Sequence, residues 1–150
     1  FENMSSITII NDHPYCNNLN TQTMEHLTKI IFSSENRKYS SINFIITSDE
    51  YLSRLKKIYF NQNVYTDVMT FNLEDSDSPI EGEIYISMDR IVSNAKIYNN
   101  SMEEEVKRVV IHGILHLIGY DDDTKQKKGN MTKLENKYIS GFDNKILTLR

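Results

Sequence analysis

The stretch from residue 111 to residue 123, IHGILHLIGYDDD, places two histidines four residues apart and three aspartates shortly after them. Residues spaced by four lie on the same face of a helix, so His112 and His116 can direct ring nitrogens at one metal ion. Paired histidines with this spacing are ligands in the H-E-x-x-H zinc enzymes. The spacing therefore predicts a helix that carries two ligands of a metal site.

The end of this helix is expected at Gly119, because glycine adopts the left-handed conformation of a helix C-cap without strain. Asp121, Asp122 or Asp123 would then supply a third, oxygen ligand and leave a fourth position open for water. Three protein ligands with an open position are typical of a catalytic zinc site rather than a structural one. The residues alone leave the choice among the three aspartates open.

The residues around the two histidines are aliphatic from position 109 to 118, apart from Gly113. This pattern predicts a buried helix. An unsatisfied buried imidazole costs about 1–3 kcal/mol, and a shared metal ion removes that cost for both rings. The alternative is a pair of core histidines bonded to backbone groups. Gly113 stands where H-E-x-x-H peptidases carry their glutamate base, so a small zinc peptidase is a disfavoured alternative.

The run HGILHLIGYD resembles the signature H-G-x-L-H-L-x-G-Y-D-H of the YbeY family, bacterial endoribonucleases and ribosomal RNA maturation factors. Residues 66–71 (TDVMTF) and 82–87 (GEIYIS) resemble two strands of that family, and Met131 and Glu135 match its M-x-x-x-E helix. The resemblance implies a mixed sheet and a metal-dependent endoribonuclease. Its implied cofactor is zinc, and its implied partners are single-stranded RNA and an rRNA precursor or ribosomal subunit.

Two positions depart from the family pattern. The family's third ligand is a histidine six residues after the second, where this chain has Asp122. The implied ligands are therefore His112, His116 and Asp122, with Asp121 as a candidate to orient a ligand histidine. Aspartate binds zinc, and an oxygen donor also admits manganese or another harder divalent ion.

The second departure is Phe60, which stands where many family members have an arginine that faces the scissile phosphate. The usual cationic stabiliser is then missing or supplied from elsewhere. The absent arginine keeps open the alternative of a non-catalytic ribosome-associated factor in which the metal is structural.

Hydrophobic spacing and capping residues outline the rest of the chain. Strands are expected at about 6–10, 42–47, 67–73 and 83–87, and helices at about 20–36, 48–60, 88–98, 101–118 and 125–139. A loop is expected over 74–81. We expect an α+β fold, with an about four-stranded mixed sheet packed with five or six helices, as one domain over residues 1–150.

The helix expected at 48–60 carries a local basic and aromatic cluster. Its RNA-binding candidates are Arg54, Lys56, Lys57, Tyr59, Phe60 and, just beyond the helix, Tyr65. Cations that contact phosphates and rings that stack on bases are what single-stranded nucleic acid binds. The helix has an apolar face of Leu52, Leu55, Ile58 and Tyr59. The alternative is that the cations form the solvated face of this amphipathic helix and the rings belong to the core.

Composition limits the classes of function. A net charge of −4 argues against a broad cationic surface, so we expect local RNA contacts and no binding to DNA. The one cysteine, Cys16, rules out an intramolecular disulfide and suits a reducing cytosol. No run of about 18 apolar residues and no secretory signal is visible, so we expect a cytoplasmic protein without a membrane partner.

Overall fold

Four strands form one mixed sheet in a computed structural model that describes residues 5–13, 19–60, 67–73 and 79–148. They are β1 (Ser6–Asn11), β2 (Tyr39–Thr47), β3 (Val68–Asn72) and β4 (Ile80–Ser87). Their order across the sheet is β1-β2-β4-β3. The pairs β1–β2 and β2–β4 are parallel, whereas β3 runs antiparallel to β4 at the sheet edge.

The described residues contain five helices. They are α1 (Thr21–Ser34), α2 (Asp49–Phe60), α3 (Met88–Ile97), α4 (Met102–Ile118) and α5 (Lys125–Ser140). Helix α4 contacts β3, β4, α1, α3 and α5, so it lies at the centre of the hydrophobic core. None of the helices in these ranges is long and apolar enough to cross a membrane.

The close packing of α4 on the sheet depends on Gly113. A Cβ atom at this position would lie 2.8 Å from Cγ2 of Ile84 and 3.0 Å from Cγ2 of Val68. Both neighbours are β-branched and have little freedom to move aside. The glycine between the two histidines therefore lets α4 approach β3 and β4 and fixes the position of the site against the sheet.

Both ends of α4 are capped as the sequence predicts. The Ser101 hydroxyl accepts a hydrogen bond from the Glu104 amide at 3.0 Å. At the other end Gly119 has a φ of 126°, and the amides of Gly119 and Tyr120 donate to the Leu115 carbonyl. This cap turns the chain back toward the helix and brings Asp122 beside the histidines.

The α+β class, the mixed four-stranded sheet and the predicted helices are confirmed. The predicted loop over 74–81 is wrong at Ile80 and Glu81, because β4 starts three residues earlier than expected, and β2 likewise starts at Tyr39. Parallel pairing of Tyr39 with Ile80 and of Ser41 with Glu81 extends both strands. Pairing of this kind comes from tertiary structure, which local propensity does not report.

The alternative interpretation of α2, in which Tyr59 and Phe60 belong to the core, is wrong. Leu52 is buried, but Ile58 and Tyr59 are 72% and 62% exposed. Helix α2 packs on the sheet through few contacts, among them the pairs Tyr51–Tyr85 and Tyr59–Phe71. The apolar spacing of α2 therefore belongs largely to an exposed surface.

Candidate metal centre

Two histidines and one aspartate converge at the C-terminal half of α4. His112 and His116 lie one turn apart and are half-buried, and their Nε2 atoms are 2.9 Å apart. Oδ2 of Asp122 lies 3.4 Å from each of these two nitrogens. The capped turn at Gly119 makes this contact possible, because it returns the chain toward the helix within six residues of His116.

The three donor atoms fit the dimensions of a divalent metal site. In a four-coordinate zinc site with bonds of about 2.0–2.1 Å, ligand atoms lie about 3.3 Å apart. The observed separations of 2.9 and 3.4 Å bracket that value. Two nitrogens and a carboxylate oxygen suit zinc and also manganese. His112, His116 and Asp122 could therefore hold a metal ion.

A buried carboxylate prepares His112 for this role. Nδ1 of His112 lies 2.5 Å from Oε2 of Glu135, which is 6% exposed on α5. A carboxylate accepts hydrogen bonds, so the ring proton lies on Nδ1 and the Nε2 lone pair faces Asp122 and His116. Arg108 Nη1 in turn donates to the other oxygen of Glu135 at 3.1 Å and fixes its orientation.

The electrostatics of the site favour a bound cation. Burial alone would lower the pKa of His112, but the hydrogen bond and charge of Glu135, with the charges of Asp67 and Asp122, raise it. Burial raises the pKa of the Asp67 carboxyl, which His112 partly offsets. Several carboxylates thus surround two rings that are half-buried. A divalent ion would balance that negative charge.

The three candidate aspartates differ in position. Asp122 is half-buried and faces both histidines, whereas Asp121 and Asp123 are exposed. Asp123 pairs with Lys127 at 3.2 Å. In the described part of the chain, Asp121 forms no hydrogen bond to either histidine, and its suggested orienting role stays a prediction. The position that orients His112 is instead occupied by Glu135.

A cavity of about 300 Å³ opens beside the three candidate ligands. It is lined by His112, His116 and Asp122, by Asp67 to Thr70 at the start of β3, and by Lys56 and Phe60 of α2. Among the described residues, Lys56 is the one lysine or arginine that lines this cavity. Its Nζ lies 5.0 Å from the centroid of the Phe60 ring. Helix α2 therefore brings a cation to the metal site.

The other described RNA-binding candidates are exposed residues of α2. Tyr59 and Phe60 are exposed and pack on Phe71, with ring centroids 5.3 and 6.4 Å apart. Arg54 and Lys57 are exposed, and the Arg54 guanidinium lies 5.9 Å from the Tyr51 ring. Tyr65 lies outside the described residues. The alternative interpretation expected buried rings, but Tyr59 and Phe60 are exposed.

Sequence reasoning missed the role of Glu135. The only signal was its place in the M-x-x-x-E match, and nothing in the spacing connects it to His112, 23 residues earlier. It also missed Arg108, one turn before His112 on α4, which holds Glu135. A histidine at a predicted metal site needs a partner for its second nitrogen, so a buried acid elsewhere could have been sought.

A mixed sheet with a buried helix that carries two histidines and a returning carboxylate defines an α+β protein with a candidate metal centre, a donor set that metal-dependent hydrolases use. The sequence profile of the family described as "Endoribonuclease YbeY" matches residues 8–143. The chain belongs to this family.

Curated relatives and a solved structure agree with that assignment. The Endoribonuclease YbeY of Karelsulcia muelleri is 40% identical over 109 residues, 73% of this chain and 77% of the relative. The Endoribonuclease YbeY of Flavobacterium johnsoniae is 36% identical over 123 residues, 82% of this chain and 88% of the relative. The solution structure of TM1509 from Thermotoga maritima has a TM-score of 0.59 and 30% identity, covering 89% of this chain and 87% of that one.

Proposed function

We propose that this protein is a metal-dependent endoribonuclease that cleaves single-stranded RNA in ribosomal RNA maturation. The observation that carries the proposal is the convergence of His112 Nε2, His116 Nε2 and Asp122 Oδ2 beside a cavity that opens to solvent. Zinc is the first choice of ion, and manganese the second. The names of the relatives support the reaction.

The ion would supply Lewis-acid chemistry, polarising a phosphoryl oxygen and lowering the pKa of a bound water. The chain's own residues prepare the site for that chemistry. Glu135 holds the His112 ring with its Nε2 lone pair toward the cavity. Lys56 places a positive charge in the same cavity, where a phosphate oxygen would otherwise meet Asp67 and Asp122.

The exposed rings of Tyr59 and Phe60 extend this cavity along the surface of α2. Bases of a single strand can stack on such rings, while a duplex keeps its bases inside. This difference favours a single-stranded substrate. An rRNA precursor or a ribosomal subunit as the partner would place the protein in the cytoplasm.

The structural-metal alternative predicts a closed site. Structural zinc is held by four protein ligands. Among the described residues, the cluster contains three metal-binding side chains, and a cavity lies beside them. This arrangement favours catalysis. Phe60 occupies the position expected for the family's arginine, but Lys56 still places a cation in the cavity. The missing arginine is therefore a weaker argument against catalysis.

A cleavage assay with a matched histidine control tests the proposal. Wild type, His116→Ala and His26→Ala are incubated with a single-stranded RNA and with its duplex. His26 is exposed on α1, away from the site, so its loss should leave activity unchanged. We expect wild type to cleave the single strand, and His116→Ala to lose cleavage and bound metal, measured by elemental analysis, while still binding RNA.

Two outcomes would overturn the proposal. Equal cleavage by wild type and His116→Ala would indicate a contaminating nuclease. Metal-loaded wild type that binds RNA without cleaving it would favour the structural-metal alternative. In either case the folded state is confirmed by circular dichroism before the comparison is made.

A further inference from the structure

A second, larger cavity of about 620 Å³ meets the first at the candidate metal ligands. The two cavities share Asp67, His112 and Asp122. The larger one continues away from Lys56, between the end of α3 and the facing sides of α4 and α5. A volume of this size is in the range of sites that hold a small molecule or one part of a polymer.

The two cavities differ in charge. The larger one is lined by five carboxylates among the described residues: Asp67, Glu104, Glu105, Asp122 and Glu135. Two cations, Arg108 and Lys128, also line it, but Arg108 already donates to Glu135 and to Asn136. In the larger cavity the carboxylates exceed the cations by three, whereas in the smaller one Asp67 and Asp122 exceed Lys56 by one, so a phosphate is repelled more strongly in the larger cavity. The larger cavity is therefore suited to an uncharged part of an RNA strand.

The lining of the larger cavity offers what a nucleobase binds. Tyr98, at the end of α3, is 66% exposed and borders the cavity. Its ring is available for stacking. Side chains with acceptor oxygens surround the space, and the Glu104 carboxylate has no hydrogen bond or ion pair in the described part of the chain. Carboxylates accept hydrogen bonds from the exocyclic amino group of cytosine, whereas uracil presents a carbonyl oxygen at that position.

We propose that the larger cavity is a nucleobase subsite, which receives the base next to the phosphate at the metal ligands. The base stacks on Tyr98, and the carboxylate lining selects cytosine over uracil. This inference rests on the proposed function, since it presupposes an RNA strand across the site. It adds the orientation of one nucleotide in the site: its phosphate lies toward Lys56, and its base lies toward Tyr98.

Cytidine and uridine are a matched pair for the test, since their bases differ by the amino or carbonyl group. Cleavage and fluorescence-anisotropy binding are measured on an oligouridine strand and on the same strand with one cytidine moved along it. We expect the cut to follow the cytidine at a fixed distance as it is moved, with cleavage by wild type about 10-fold faster and binding tighter than on oligouridine. Glu104→Gln should reduce that preference, because the amide adds a donor that suits the uracil carbonyl.

The variants at position 98 test the stacking. Tyr98→Ala should lower kcat/KM and affinity by about 5-fold to 100-fold, the range for loss of one base–ring stack. Tyr98→Phe should retain most of both. The control is Ile97→Ala, an exposed neighbour that does not line the cavity, and it should match wild type.

The outcomes separate this inference from the proposed function. Wild-type cleavage that shows no cytidine preference and is unchanged in Tyr98→Ala would overturn the subsite and leave the endoribonuclease intact. Absence of cleavage would overturn the proposed function, and anisotropy would still decide the subsite. In that case, equal affinity of wild type and Tyr98→Ala for all strands would overturn the subsite.

Discussion

Helices α4 and α2 carry similar apolar spacing in the sequence and have opposite surroundings in the structure. Ile114 of α4 is 0% exposed, whereas Ile58 of α2 is 72% exposed. Helix α4 is enclosed by two strands and three helices. The contacts of α2 are with one face of the strands β3 and β4 and with α3, and its outer side is uncovered. Similar apolar spacing therefore occurs both in a buried helix, α4, and in a helix with an exposed outer side, α2.

This difference assigns separate tasks to the two helices. The candidate ligands His112 and His116 lie on the enclosed helix, where packing limits their movement. The cations and rings that we propose for RNA lie on the exposed helix, where side chains can adjust to a substrate. Lys56 and Phe60 are the residues at which the exposed helix meets the site.

The largest expected effect compares the same substitution on both helices. Ile114→Ala should lower the free energy of unfolding by about 2–5 kcal/mol, because it leaves a cavity in the core. Ile58→Ala should change it by less than about 0.5 kcal/mol. Urea denaturation of the metal-free proteins measures both values. A similar loss from the two variants would show that α2 is covered in solution and would remove the contrast.

The sequence predicted α4 in detail because its signals are local. The capping serine, the aliphatic run and the terminal glycine all belong to this one helix, and each acts on the residues next to it. The pairing of the two histidines with Asp122 also depends on one helix and one turn. Within these eleven residues, spacing arguments predicted the helix and its end, whereas the choice of Asp122 among the three aspartates came from the family pattern.

What the sequence could not show depends on residues far apart in the chain. The contact of Glu135 with His112 requires α5 to pack on α4, and the position of Lys56 requires α2 to reach the edge strand β3. Ile58 is exposed because none of the described elements packs on the outer side of α2. A local sequence pattern does not show whether another element will pack on a helix face. The length of β2 and β4 came from their mutual pairing.

The second prediction concerns the support that α5 gives to the ligand helix. Glu135→Gln should weaken metal binding about 10-fold to 100-fold, because the ring of His112 loses its carboxylate partner. The control is Glu105→Gln, since Glu105 is also buried on the cavity side but bonds to Asn100. Competition with a fluorescent zinc chelator measures the affinities. Equal affinity of Glu135→Gln and wild type would mean that packing alone orients His112.

The last prediction concerns the exposed helix and compares adjacent residues of equal charge. Lys56 lines the cavity beside the candidate ligands, whereas Lys57 is exposed and does not line it. Lys56→Gln should lower kcat on single-stranded RNA about 10-fold, since a charge that meets the reacting phosphate acts in the transition state. Lys57→Gln should change kcat/KM by less than about 2-fold, because an exposed charge is screened by salt.

Lys56→Arg should recover most of the lost rate, since it keeps the charge at a similar reach. Steady-state kinetics at two salt concentrations separate the contributions. Loss of a general surface charge would raise KM in low salt and have little effect in high salt, whereas the kcat effect of Lys56→Gln should persist. Equal losses from the two glutamine variants would mean that α2 attracts RNA by charge alone. The catalytic cation would then have to come from a residue outside α2.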